Sequence, residues 1–267
     1  MEVRAASGKG CCRMLGHAGG LRSIAFMLML LIGTLVASCG SSSSTPVNPL
    51  LGTWVKGDFA QPDNLQVIWF LDGHTYAMAI DQAADANGQD GIEYGFYSWD
   101  KTAGTITVKP SINTAGNWGI VGMAAPVKMS IVDNKLTIGS ASYTRLINGG
   151  GDPVQGGWLL GDVILFAFDN GHYVMADAYA LYSNSSCGKM GGIERGAYTY
   201  SGDYTSGTMT IPIQSVFEDT NGCWGFNDST KPSSLQPDPQ VAVGFNNNLM
   251  SWTAPIVGGT AYFTRVQ

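Results

Sequence analysis

The sequence predicts an all-β protein made of two tandem small antiparallel β-barrels, and three observations lead there. Val, Ile, Thr, Tyr, Phe and Trp recur in short runs, while helix-favouring charged stretches are nearly absent. The chain holds 36 Gly and 11 Pro among 267 residues without a collagen-like period, which reads as many tight turns. Six sequence blocks occur twice in the same order, so one β unit is duplicated.

The first element is not part of either barrel. Residues 23–38, SIAFMLMLLIGTLVAS, follow a basic flank (Arg4, Lys9, Arg13, Arg22) and end in small residues. This is the pattern of a secretory signal peptide over 1–38. Its apolar core, Ile24 to Ala37, is shorter than the roughly 20 residues a bilayer span needs. The stretch Val36-Ala37-Ser38-Cys39 resembles the lipobox of bacterial lipoproteins. That resemblance implies cleavage before Cys39 and lipidation of Cys39, with palmitate-type chains holding the protein on the membrane. Gly40 rather than Asp follows, which by the same resemblance implies the cell outer membrane. Residues 39–49, containing Gly40-Ser41-Ser42-Ser43-Ser44-Thr45-Pro46, read as a flexible tether.

The first barrel is expected over 50–147 and the second over 154–267. Gly52-Thr53-Trp54 repeats as Gly156-Gly157-Trp158, and Phe70-Leu71-Asp72-Gly73-His74 as Phe168-Asp169-Asn170-Gly171-His172. Gly91-Ile92-Glu93-Tyr94-Gly95-Phe96-Tyr97 repeats as Gly192-Ile193-Glu194-Arg195-Gly196-Ala197-Tyr198, and Gly104-Thr105-Ile106-Thr107 as Gly207-Thr208-Met209-Thr210. Asn117-Trp118-Gly119 repeats as Cys223-Trp224-Gly225, and Tyr143-Thr144-Arg145-Leu146 as Phe263-Thr264-Arg265-Val266. Asp72-Gly73 and Asn170-Gly171 predict tight hairpins with positive φ, flanked by strands at Val67 to Leu71, Tyr76 to Ile80, Val163 to Phe168 and Tyr173 to Ala176. Asp133-Asn134-Lys135 and Asn246-Asn247-Asn248 mark a later turn. Closure into barrels removes the exposed edges that open sheets would leave.

The opening Gly-Thr-Trp and Gly-Gly-Trp, with Arg145 and Arg265 in the closing strands, resemble the lipocalin-like (calycin) barrels of bacterial lipoproteins. The resemblance implies that each opening Trp plugs one barrel end and that each late Arg packs across it. The units are shorter than a typical lipocalin.

Alternation places Glu93, Gly95, Tyr97 and Trp99 on one strand face, and Glu194, Gly196, Tyr198 and Tyr200 on its copy. The opposite face carries Arg195 and Thr199, which suit water, so the glutamates are expected inside. A buried carboxylate needs a partner. Arg145 and Arg265 are the arginines shared by both units, so the expected pairs are Glu93–Arg145 and Glu194–Arg265. His74 and His172 follow turns and read as surface residues. Asp85-Ala86-Asn87-Gly88-Gln89-Asp90-Gly91 reads as a solvated loop, because its glycine and glutamate spacing miss a calcium loop. No metal or cofactor is expected. Cys187 and Cys223 replace Ala86 and Asn117 of the first unit together, the pattern of a disulfide in an exported protein, worth on the order of 3–4 kcal/mol.

After residue 38 the chain keeps 10 Lys/Arg against 19 Asp/Glu, an acidic body without a basic stripe, which argues against nucleic acid as a partner. No nucleophile elbow or phosphate-cradling loop is present, so an enzyme is not expected. The expected function is an outer-membrane-anchored lipoprotein that binds a small apolar or amphipathic ligand without catalysis. Lining candidates are Trp69, Tyr76, Met78, Tyr97 and Trp99 in the first unit, and Tyr173, Met175, Tyr198 and Tyr200 in the second. The alternative is a structural or interaction lipoprotein with solid barrels that works through its outer surface in envelope assembly or adhesion.

Overall fold

The structure is a computed structural model that describes residues 48–61, 63–81, 90–149, 151–161, 164–178, 191–222, 225–254 and 259–267. Cys39 with its preceding segment, most of the acidic stretch at 85–91, and both Cys187 and Cys223 lie outside the described residues. The lipidation and the disulfide are therefore sequence expectations only. No helix among the described residues is long and apolar enough to cross a membrane.

The first unit is a closed antiparallel barrel of eight strands in chain order. They are β1 (Gly52–Lys56), β2 (Leu65–Phe70), β3 (Thr75–Asp81), β4 (Gly91–Asp100), β5 (Thr105–Asn113), β6 (Val127–Val132), β7 (Lys135–Ile138) and β8 (Ala141–Arg145). Pairing of Trp54 with Arg145 and of Val55 with Thr144 closes it. The second unit holds β9 (Gly156–Leu160), β10 (Ile164–Asp169), β11 (His172–Asp177), β12 (Gly192–Ala197), β13 (Thr199–Gly202), β14 (Ser206–Thr210), β15 (Glu218–Asp219), β16 (Gln240–Asn246), β17 (Leu249–Ala254) and β18 (Gly259–Arg265). These form one curled antiparallel sheet in the order β13-β14-β16-β17-β18-β9-β10-β11-β12-β15.

The difference between the units lies in the strand after the central hairpin. In the first, β4 runs unbroken and β5 follows it, absorbing one bulge between Tyr94 and Gly95. In the second, the counterpart of β4 is split at Tyr198 into β12 and β13, which end up near the two ends of the sheet. The chain leaves the sheet at Pro212, which cannot donate to a ladder. It makes a 3-10 turn over Ile213–Ser215 and pairs again at Glu218 and Asp219, opposite Arg195 and Glu194.

The two hairpin signals resolve differently. Asn170 and Gly171 both take positive φ (48° and 77°), joining Asp169 to His172 by the expected two-residue turn. Asp72-Gly73 does not: neither residue has positive φ, and the last β2–β3 pair is Phe70 with Tyr76. The Asp72 carboxylate instead accepts from the amides of His74 (2.7 Å) and Thr75 (2.6 Å), so a side chain organises a wider loop.

Three apolar cores result. Trp54, Ile68, Phe70, Tyr76, Met78, Tyr97, Ile106, Leu136 and Tyr143 fill the first barrel. Trp158, Phe166, Phe168, Tyr173, Met175, Tyr198, Met209, Met250, Trp252 and Phe263 fill the curl of the second, barrel-like sheet, which is not closed as the first is. The third lies between the units, where Val67, Trp69, Ala77, Ala79 and Ile92 on the outer face of β2–β4 meet Leu165, Ala167, Val174, Ala176 and Ile193. Contacts cross reciprocally, β3 to β12 and β4 to β11, as an approximate two-fold relation between duplicated units requires. Small alanines at the centre let the two sheets approach. Trp69 fills the remaining gap and donates from its indole to the Phe166 carbonyl at 3.3 Å.

Candidate functional site

Each unit carries the same buried carboxylate centre. Glu93 on β4 and Glu194 on β12 are fully buried. Glu93 accepts from the Tyr76 hydroxyl (3.2 Å) and from the amides of Ile120 (3.2 Å) and Val121 (3.0 Å). Glu194 accepts from Tyr173 (2.5 Å) and from the amides of Phe226 (3.0 Å) and Asn227 (2.9 Å). The loop in each unit brings these amides in through a glycine, Gly119 (φ 92°) or Gly225 (φ 107°). A Cβ on either glycine would strike the carboxylate, so only glycine allows the approach. Burial pushes both carboxyls up to about 7, while the donated hydrogen bonds pull the other way. Each glutamate thus ties a long loop across the barrel interior.

The expected Glu93–Arg145 and Glu194–Arg265 pairs are not formed. The Arg145 guanidinium lies 4.1 Å over the Trp54 ring and donates to the Leu51 and Pro49 carbonyls. Arg265 lies 4.0 Å over Trp158 and donates to the carbonyls of Gln155 (3.0 Å) and Pro153 (3.1 Å). Each indole in turn donates to a carbonyl four residues back, Trp54 to Leu50 (2.8 Å) and Trp158 to Val154 (2.7 Å). The late Arg therefore packs across the opening Trp. It reaches carbonyls rather than carboxylates because the chain entering β1 or β9 wraps beside the same ring.

Arg195 overturns a second expectation. It is fully buried rather than solvated, and its guanidinium pairs with Asp81 of the first unit. It also donates to the carbonyls of Phe59 (3.0 Å) and Gln61 (2.8 Å). Alternation along β12 correctly puts Arg195 opposite Glu194, but that outer face is covered by the other unit. Asp81, Asp90 and Glu218 bring carboxylate oxygens within 4.8 Å of one another here, with the Arg195 charge already among them.

The remaining sequence candidates divide in the same way. Tyr76, Met78, Tyr97 and Trp99 belong to the first interior, and Tyr173, Met175, Tyr198 and Tyr200 to the second. Trp69 does not line a lumen; it belongs to the inter-barrel core. His74 is exposed beside Asp72 and stacks on Phe96 at 6.3 Å. Grooves among the described residues border the barrel interiors. One of about 400 Å³ runs between the units beside Lys56, Thr144, Leu146, Gln155 and Asp169. Another of about 240 Å³ lies where the chain enters the second barrel, beside Asp152, Tyr198, Tyr200 and Tyr204. Asp81, Arg195 and the loop amides escape sequence reasoning. The repeated Trp-Gly block is the one available signal for the amides.

No family model matches the chain, and no curated protein matches it. Among solved structures, a DNA polymerase sliding clamp from Pseudomonas aeruginosa is similar at 8% identity, over 81% of this chain and 56% of that one. The TM-score of 0.13 is too low to carry an argument about fold or function.

Proposed function

We propose that this chain is a non-catalytic envelope lipoprotein, anchored through Cys39 in the outer membrane, whose rigid twin-barrel body acts through its outer surface. The observation that supports this most is that both interiors are occupied by the protein's own side chains, with each buried glutamate taken up by its own Tyr and loop amides. A lumen ligand would have to displace that packing. The lipobox-like Val36-Ala37-Ser38-Cys39 and the serine-rich tether support the anchor. The lipocalin-like assignment is supported by the eight-stranded closure and by Arg145 and Arg265 over the opening tryptophans.

Two measurements test the reading. Membrane fractionation should leave the native chain in the outer-membrane fraction and release a Cys39→Ala variant; equal distribution of both overturns the anchor. Native mass spectrometry should show the chain with its lipid modification alone. A stoichiometric small molecule, lost on Met78→Trp or Met175→Trp filling of the interior, would instead restore the ligand-binding reading.

A further inference from the structure

The duplication permits a position-by-position comparison of the two barrel mouths, and they differ in charge. In the first unit Trp99 is covered by the unit's own cation, the Lys101 ammonium 4.9 Å from the ring centroid. The neighbouring Tyr97 hydroxyl receives a hydrogen bond from the neutral amide of Asn48 at 3.4 Å and donates to the Asp72 carbonyl at 2.7 Å. In the second unit Tyr200 stands where Trp99 stands, Tyr198 where Tyr97 stands, and Asp152 where Asn48 stands. Asp152 accepts from Tyr198 at 2.5 Å, so a carboxylate has replaced the amide. The hairpin after Tyr200 is two residues longer, and its turn Asp203-Tyr204-Thr205-Ser206-Gly207 repeats Asp100-Lys101-Thr102-Ala103-Gly104, so Tyr204 stands where the first unit has Lys101. The covering cation is gone, a tyrosine ring stands in its place, and one acid, Asp152, has been added; Asp203 repeats Asp100, each capping the amides two and three residues on.

These residues surround the groove of about 240 Å³, together with Gly151, Pro153 and Gly171. Tyr200 is fixed by construction. Its hydroxyl donates to the Asp203 carbonyl at 2.6 Å, and a Cβ on Gly202 or Gly207 would strike that same hydroxyl. Tyr204 is 60% exposed beside it. A carboxylate beside the accessible rings of Tyr200 and Tyr204, in a small groove, suits an organic cation; Tyr198 is buried and contributes its hydroxyl to Asp152 rather than a ring face.

We propose that this groove at the mouth of the second barrel binds an organic ammonium group, which takes the place that Lys101 holds over Trp99 in the first barrel. The group is carried by a free alkylammonium compound or by a lysine side chain of a peptide. This assignment is independent of the anchor, and it needs no space inside the barrel, since the groove lies at its mouth, where Tyr198 and Tyr200 border the interior.

The test uses the folded body observed by amide NMR, titrated separately with tetramethylammonium chloride, with a blocked lysine tripeptide and with sodium chloride. Saturable shifts at Gly202, Asp203 and Tyr204, absent with sodium chloride and absent around Trp99, are expected. The stronger of the two organic probes identifies the source. Asp152→Asn recreates the first unit's residue and should weaken binding about tenfold or more. Tyr204→Lys supplies an internal cation at an exposed position and should abolish it. No saturable shift with either organic probe overturns the proposal, as does binding unchanged by both substitutions. An unchanged thermal midpoint in Tyr204→Lys shows that its loss of binding is not loss of fold.

Discussion

The closed first barrel and the curled, barrel-like second unit share their interior design and differ at their borders. Each has a Trp held by an Arg at one end and a Glu held by a Tyr and two loop amides inside. The borders diverge. Tyr94 of the first unit corresponds to Arg195 of the second, Asn48 to Asp152, and an unbroken β4 to the split pair β12 and β13. A duplicated fold keeps what each copy needs to fold, because a carboxylate or indole inside has few arrangements that satisfy it. Surfaces that meet the other copy or the solvent are free to change. Arg195, whose buried ion pair with Asp81 crosses from one copy to the other, is therefore the sharpest mark of their pairing among the described residues.

Breaking that crossing should give the largest effect. Arg195→Ala leaves Asp81 buried without its cation, and frees the Phe59 and Gln61 carbonyls. A loss of about 3–5 kcal/mol in urea unfolding is expected. The paired Asp81→Leu and Arg195→Met variant should recover the part due to the unpaired Asp81 but not the part due to the freed Phe59 and Gln61 carbonyls. Substituting Tyr94, the equivalent residue of the first unit, by Phe should cost far less. Equal losses at Arg195 and Tyr94 would mean that the two units do not depend on this ion pair.

The shared interior can be tested by treating the two centres alike. Glu93→Gln and Glu194→Gln each turn one acceptor toward a donor, at about 1–3 kcal/mol. The larger loss is expected for Glu194→Gln, whose hydrogen bonds are the shorter set, 2.5, 2.9 and 3.0 Å. The same pair sets a pH dependence. Burial raises both carboxyls from 4.5 to about 7, so the folded chain keeps protons that the unfolded chain releases. Their stabilising contribution is complete below about pH 4.5 and is lost as pH rises through about 7. Replacing both by Gln should flatten the fall in stability across that window in chemical denaturation; an unchanged slope would place the proton uptake elsewhere. Asp177, raised to about 6 by burial, adds a smaller slope of the same sign.

The interior is largely legible in the sequence and the border is not. Period-two alternation along 93–99 and 194–200 puts the glutamates and aromatic residues inside, because a strand reports its own two faces. It cannot report what covers the outer face. The pattern assigns Trp69 to a lumen and Arg195 to solvent, and both belong to the seam between copies. The sequence offers the glutamates only side chains as partners, whereas the structure supplies backbone amides, which carry no residue code. Gly119 and Gly225 are their trace: a glycine repeated beside a repeated Trp marks close approach of backbone to something buried.

The smallest expected effect separates two turns that look alike in the sequence. Gly171 has φ 77° beside Asn170 at φ 48°, a conformation that costs a residue with a Cβ. Gly73 lacks positive φ, a Cβ added there would meet only open space, and the loop around it is held by the Asp72 carboxylate. Gly171→Ala should therefore lower stability by about 1 kcal/mol, while Gly73→Ala should be neutral or slightly stabilising, since alanine restricts the unfolded chain more than glycine does. The loss in the first loop should come instead from Asp72→Ala, which frees the His74 and Thr75 amides to water. Parallel thermal unfolding of the three variants checks this: if Gly73→Ala and Gly171→Ala fall together, the two hairpins share one turn geometry and the side-chain-organised loop is not formed.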